Sequence, residues 1–341
     1  MLTAKFSQPF VQCLFGCQYH GASPTEQRAT IINFFQALLQ SSAAHVEILE
    51  SEDGTRPGFM SKLFLAYWRQ ETDYQSWWSS EPVTQFWHSL PDDAGFWREK
   101  LTLRPSRVLY ETNKHIPTGF ANVAQIKPLV EKTGYWGSYR DRIEDSTPED
   151  KLESKIQLAA PPSSDDEIRL GRTTIKHFPD NICFVVEGQD RGSMEHDEKH
   201  YWTENFQDIS EEWILTAIHG GHEDGIISAR LCQGTDSGLF KPETDKTNAL
   251  SYNRTVQVFY FTDMSWMERI GRKYKSHVTL RRRFMEAYGP GGVMENGNIL
   301  LWVDLGILKG QDMEAEYIGC YDDTGFLAYR ERPGFTVEAC L

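Results

Sequence analysis

Histidine 277 is the residue whose type and placement most invite chemistry. Counting by helical spacing, Trp266, Ile270, His277, Leu280, Phe284 and Tyr288 fall on one apolar face, and Arg269, Lys275 and Arg282 fall off it. An imidazole on that face points into a core, where it must find a hydrogen-bond partner or a metal ion. Two readings stand: a satisfied core histidine, or a ligand. The remaining histidines offer less. His219 and His222 sit beside Glu223 and Asp224 at a helix end, which reads as a solvated turn. His196 and His200 share i, i+4 spacing but lack the glutamate placement of an H-E-x-x-H metal helix, so they read as surface.

Cys13, Cys17, Cys183, Cys232, Cys320 and Cys340 form neither a C-x-x-C pair nor a C-x-x-C-H run. A zinc site at that spacing and covalent haem attachment are therefore not indicated, and free thiols in a reducing compartment are expected. The 341 residues suffice for one large domain or two ordinary ones. Ten Trp, fourteen Tyr and nineteen Phe suit either a large apolar pocket or thick helix–sheet packing. A net charge of −14 argues against nucleic acid or an anionic membrane as partner. The N-terminal apolar stretch is broken by Gln12 and Gly16 and reads as a strand rather than a signal peptide. No apolar run approaches membrane-spanning length. The expectation is a soluble, cytoplasmic protein.

The elements that must hold these residues alternate between strand and helix. A strand at 10–16 precedes a helix opened by Pro24-Thr25-Glu26, with Thr25 as N-cap and Ile31, Ile32, Phe34, Phe35, Leu38 and Leu39 as its apolar set. Strands at 45–50 and 61–68 and a helix at 73–90 complete a first half. The order returns as a strand at 181–187, a helix at 198–219, strands at 225–232 and 255–262, and one long helix at 265–288. Strands at 299–305 and 314–320 finish the chain. Tyr67 and Tyr260 lie 193 positions apart, and at that offset Thr84 falls on His277, so only the second copy has an imidazole. The pattern predicts an α+β fold of duplicated ferredoxin-like units closing a β-barrel flanked by helices. It would be a single domain over residues 1–341, with halves at about 10–145 and 170–330. The acidic, Pro- and Ser-rich stretch at 144–166 would be a solvated connector.

Several segments in shared order resemble the haem-containing aldoxime dehydratases. They are Ala66-Tyr67-Trp68, Gly95-Phe96-Trp97-Arg98-Glu99, Gly134-Tyr135-Trp136-Gly137-Ser138-Tyr139-Arg140-Asp141-Arg142, Asn181-Ile182-Cys183, Gly188-Gln189-Asp190, Met267-Glu268-Arg269, Ser276-His277-Val278 and the turn from Cys320 to Gly325. The likeness runs from about residue 10 to about residue 330. It implies a b-type haem (protohaem IX), ferrous in the active state, with His277 as the proximal iron ligand. It also implies a lyase that turns a hydrophobic aryl or alkyl aldoxime into a nitrile, with the substrate nitrogen on the iron. A homodimer is the implied assembly.

The sequence departs from that pattern at two places. Tyr321 stands where the family has its distal histidine, and Val186 where it has an arginine. Ser228 is the candidate for the family serine. A phenol is a far weaker acid than an imidazolium at neutral pH, so Tyr321 would act by hydrogen bonding or through a water. The departures keep two alternatives open. One is a repurposed haem enzyme acting on a different N–O substrate; the other is a haem or gas-binding protein without turnover.

Overall fold

The computed structural model describes residues 1–53, 56–130, 138–156, 158, 160–161, 167–242 and 248–338. Residues 134–137 of the family-like run, 162–166 of the connector and Cys340 lie outside them.

Strand β1 (Leu2–Lys5) leads into β2 (Phe10–His20), α1 (Glu26–Gln40), β3 (His45–Glu52), β4 (Phe59–Trp68), α2 (Glu71–Trp78), α3 (Glu81–Ser89) and β5 (Phe96–Leu103). Short strands β6 (Val108–Thr112) and β7 (Gln125–Pro128) and the longer β8 (Ile168–His177) follow. A second run comprises β9 (Cys183–Asp190), α4 (His196–Asn205), α5 (Gln207–Ile218), β10 (Ile226–Gln233), β11 (Arg254–Phe261), α6 (Met264–Lys273), α7 (Lys275–Tyr288) and β12 (Leu300–Ile307). β13 (Met313–Tyr321) and β14 (Thr336–Glu338) close the chain.

All the strands join one antiparallel sheet in the order β14-β8-β13-β5-β2-β4-β3-β10-β11-β9-β12-β6-β1-β7. Within it, β5-β2-β4-β3 and β10-β11-β9-β12 are one arrangement read in opposite directions. The two runs meet where Glu50 of β3 pairs Gln233 of β10, and Ser51 Oγ donates to the Leu231 carbonyl at 2.9 Å. The mixed α+β class is as expected. Closure of the barrel is not: the order ends at β14 on one side and β7 on the other. Both edges are short, with β14 exposed throughout, which is how sheets commonly terminate pairing.

Alternation along the strands separates two layers. Leu14, Leu63, Leu65, Tyr67 and Trp97 from the first run share an interior core with Phe184, Val186, Val258, Tyr260 and Trp302 from the second. The opposite faces carry the helices. In the first run that outer layer is a solid block of rings, in which Phe35 stacks on Phe86 at 5.1 Å and meets Phe15 edge-on at the same distance. Each buried ring of this kind contributes about 1.5–3 kcal/mol by leaving water.

Thr25 caps α1 as expected, its hydroxyl accepting from the Arg28 amide. Three helices expected to be continuous are each broken. The one at 73–90 divides around Ser79 and Ser80, with Pro82 in the first turn of α3, where its missing N–H costs nothing. The helix at 198–219 divides at Phe206, and the one at 265–288 at Tyr274. The connector is not wholly solvated either: Leu152 and Leu158 are buried, and the Ser154 amide donates to Asp263 Oδ2 at 2.9 Å.

Candidate active site

Where the first run packs rings between sheet and helices, the second run holds a cavity of about 1300 Å³, part of it open to solvent. Phe259, Phe261 and Val303 line it from the sheet, Trp213 and Ile214 from α5, Met267 and Ile270 from α6, and Leu280 and Phe284 from α7. Of the fourteen residues of α7 only Ala287 is buried. Its stripe borders the open space at His277, Leu280 and Phe284, and packs at its C-terminal end, where Phe284 and Tyr288 meet Phe206.

His277 belongs to that stripe. Its Nδ1 lies 2.6 Å from the Gly271 carbonyl oxygen. A carbonyl only accepts, so Nδ1 carries a proton and Nε2 is the nitrogen that can offer a lone pair. The break at Tyr274 makes this bond available. In an unbroken helix the Gly271 carbonyl would be taken by the amide of residue 275. Tyr274 instead has extended backbone, and its hydroxyl donates to Asp224 Oδ2 at 2.7 Å while Lys273 Nζ reaches Oδ1 at 2.8 Å. Burial pushes the Asp224 carboxyl up, but these bonds outweigh it and hold the group below the usual carboxylate range. The Trp213 ring lies against the imidazole, with centroids 4.4 Å apart.

The strand wall bears polar groups that the sequence reading passed over. On β9, Phe184 and Val186 face the interior core, whereas Glu187 lines the cavity along with Gln189. Glu187 is surrounded by protein yet borders the open space. Burial pushes its carboxyl above the usual carboxylate range, opposed by His277 when that ring is protonated and by a hydrogen bond with Trp213. The signal that could have found it was the alternation itself, since parity puts residue 187 on the helix side. Close by, Gly188 lies under Trp302, where a Cβ would come within 2.0 Å of the indole.

The structure does not bring Tyr321 and Ser228 to His277. Tyr321 ends β13 in a separate, solvent-open pocket with Gln18, Arg28 and Asp93. Its hydroxyl is 3.3 Å from His20 Nε2, and the Arg56 guanidinium lies 4.5 Å above its ring. Ser228 pairs Tyr260, whose ring is in the interior core, whereas Phe259 and Phe261 of the same strand face the cavity. Both were placed by motif position; strand parity turns Ser228 away from the cavity, and Tyr321 lies on β13, which pairs β5 and β8 and does not line it. His196 and His200 are exposed, as expected. Among the described residues no cluster of three His, Cys, Asp or Glu side chains could hold a bare metal ion.

An imidazole whose Nε2 can offer a lone pair, carried on a largely uncovered amphipathic helix beside an apolar cavity, suits a large flat apolar group carrying a metal at its centre. Comparison with known proteins agrees. Residues 13–326 match the family described as haem-containing dehydratase. A phenylacetaldoxime dehydratase from Bacillus sp. (strain OxB-1) is 26% identical over 286 residues, covering 80% of this chain and 75% of that one. An aliphatic aldoxime dehydratase from Pseudomonas sp. is 25% identical over 334 residues, covering 93% and 86%. A solved aldoxime dehydratase in complex with butyraldoxime has a TM-score of 0.74 at 18% identity, with 96% of this chain and 88% of that one covered. A second aldoxime dehydratase structure gives 0.75 at 19% identity, covering 96% and 90%, and the two establish the shared fold.

Proposed function

The chain belongs to the haem-containing dehydratase family, and from that premise we propose that it removes water from an aldoxime, R–CH=N–OH, to give a nitrile, with His277 as the iron ligand. The observation that carries this reading is the contrast between the two runs. The same outer layer is solid in the first and hollow in the second, and the hollow one holds the imidazole.

The lining fits the group. Nε2 of His277 would take the iron, and the Gly271 carbonyl, by fixing the proton on Nδ1, would keep that nitrogen a donor and hold the ring's orientation. Leu280, Phe284, Phe259 and Met267 would cover the apolar faces, and Arg281 offers a cation for a carboxylate. Bound haem in its ferrous state supplies an iron that accepts the oxime nitrogen and weakens the N–O bond. The apolar lining favours a hydrophobic aryl or alkyl substituent and excludes water from around it. Proton transfer has to come from a residue of this cavity, which neither Tyr321 nor Ser228 lines.

The same reading takes the chain as one domain of two duplicated ferredoxin-like units, about 10–145 and 170–330. The common strand order supports it, and so does detail. Gly16 lies opposite both Leu63 and Trp97, and Gly188 opposite both Val256 and Trp302, with Leu63 and Val256 again 193 positions apart. Arg230 covers Trp97 at 4.5 Å and Arg254 covers Trp302 at 4.4 Å. Cytoplasmic residence and a homodimer belong to the proposal too. The five described cysteines are free and buried, as suits a reducing compartment, and no described helix is long and apolar enough to cross a membrane.

The test is product analysis after mixing haem-loaded, dithionite-reduced protein anaerobically with phenylacetaldoxime. Phenylacetonitrile is the expected product. A protein with an intact reduced-haem spectrum and no nitrile from aryl or alkyl aldoximes would defeat the reading.

A further inference from the structure

We propose that Glu187 is the acid that protonates the departing oxime hydroxyl, an assignment that rests on the dehydratase reading above. The first argument is one of supply. Besides indoles and amides, the described lining residues with a proton to give are Tyr139, Glu187, Ser210, His277 and Arg281. The hydroxyl of Ser210, the phenol of Tyr139 and the guanidinium of Arg281 hold their protons too tightly to give them up near neutral pH. The His277 proton is committed to the Gly271 carbonyl. That leaves one carboxyl.

Placement is the second argument. His277 hangs from α7 and engages its own helix pair through Nδ1, so its Nε2 edge is the one left to the cavity. Glu187 stands on β9, in the sheet wall that α7 covers. An aldoxime held by its nitrogen between α7 and that wall would present its hydroxyl to side chains of the sheet. Glu187 cannot be the partner that orients the imidazole, because the Gly271 carbonyl already has that role.

The surroundings favour a protonated carboxyl. The titratable or charged groups facing it are Tyr139 from the loop before the connector, and His277 and Arg281 from α7. α5, α6, β11 and β12 present only neutral side chains such as Trp213, Met267, Gln257 and Val303. Burial dominates; His277 would oppose it only with its ring protonated, and a hydrogen bond with Trp213 opposes it further.

The chemistry balances on this one group. The carboxyl proton goes to the oxime oxygen as the N–O bond breaks with its electron pair, releasing water. The resulting carboxylate takes the aldoxime C–H proton, and that electron pair completes the C≡N bond. Glu187 ends as it began, and no oxidant or reductant is consumed.

The experiment compares wild type with Glu187→Gln, which keeps the shape and hydrogen bonds but has no acidic proton. Both are loaded with haem and examined by the iron–histidine Raman mode, by the C–O stretch of the ferrous carbonyl complex from pH 5 to 10, by phenylacetaldoxime affinity and by turnover. The expected result is an unchanged iron–histidine mode, affinity within about threefold, and a turnover loss of about 10²–10⁴. A pH-dependent step in the C–O stretch should appear in wild type and vanish in the variant. Variant turnover within about threefold of wild type, or a carbonyl step that persists, would overturn the assignment. If Glu187→Gln fails to load haem, Glu187→Asp must retain the carbonyl step, and its loss there counts against the proposal. If wild type makes no nitrile yet shows the Glu187-dependent step, the dehydratase reading fails while the placement of the acid survives.

Discussion

The ring of His277 is tied to Gly271, six residues earlier and on the other side of a helix break, by a 2.6 Å bond from Nδ1 to the carbonyl. That bond decides which nitrogen is a donor and which an acceptor. A Cβ on residue 271 would sit 3.3 Å from His277 Cε1 and 3.5 Å from Nδ1, so the ring would have to shift by a few tenths of an ångström. Gly271→Ala should therefore fold and bind haem roughly 10-fold more weakly, with an altered iron–histidine Raman mode, as expected when a ligand's supporting partner is disturbed. His277→Ala should lose that mode and the activity together. A Gly271→Ala protein with wild-type affinity and spectrum would show that the bond does not orient the ligand.

The break depends on Asp224, and Tyr274→Phe tests it by removing the 2.7 Å bond while leaving the ring. The expected cost is about 1 kcal/mol of stability in urea, with weaker haem binding because α7 loses its anchor. The pH dependence has a definite sign. Asp224 has a lowered folded-state value, so its contribution is present above the unfolded carboxylate range near pH 4 and lost as pH falls through the folded value. The gap between wild type and Tyr274→Phe should hold from pH 5 to 8 and narrow only at lower pH. A gap that does not change on acidification would mean that the hydroxyl does not depend on the carboxylate.

The legible parts of this molecule were those set by local pattern. Thr25 announced its helix, and spacing alone put His277 on an apolar face. Strand β5 was hidden because Arg98, Glu99 and Lys100 interrupt its apolar residues. They are buried only because Glu314 and Glu316, Arg230 and Tyr317, and Glu71 come from elsewhere in the chain to pair with them. The break at Tyr274 was equally invisible, since tyrosine is tolerated in helices and the cause is a tertiary bond to Asp224. Ser228 was placed by motif position without regard to parity. One residue separates Val186, which faces the core, from Glu187, which faces the cavity, and a one-residue step reverses the face of every strand position.

Two glycines under tryptophans give a matched pair of variants. A Cβ on Gly188 would come within 2.0 Å of Trp302, and one on Gly16 within 2.3 Å of Trp97. Either alanine forces an indole out of a packed position, at about 1–3 kcal/mol. Only Gly188 and Trp302 border the His277 cavity. Gly188→Ala should thus lower both stability and haem loading, whereas Gly16→Ala should lower stability by a similar amount and leave haem affinity within about threefold. Thermal melts of the apo-proteins with parallel haem titrations check this. Equal loss of haem binding in both variants would mean that the interior core, not the local contact, controls the site.

Asp304 carries the sharpest pH prediction. It is fully buried, with the Phe120 amide donating to Oδ1 at 2.9 Å and no hydrogen-bond partner at Oδ2. Burial holds its folded-state value well above the usual carboxylate range, against the pull of the Phe120 amide. An acid whose folded value is raised binds its proton more tightly in the folded chain than in the unfolded one. Ionisation therefore opposes folding. Below the unfolded value of about 3.9 the group is neutral in both states and costs nothing. Between the unfolded and folded values, stability falls by about 1.4 kcal/mol for each pH unit, and above the folded value the loss is constant. Asp304→Asn keeps an acceptor for Phe120 and removes the titration. The variant should consequently gain on wild type as pH rises from 5 to 9, read as diverging urea midpoints of the apo-proteins. Parallel midpoints across that range would mean that Asp304 does not change its charge there. Gly119→Ala is the structural counterpart: its Cβ would lie 2.0 Å from Oδ2, at a backbone φ of +47°, and it should destabilise the fold at every pH.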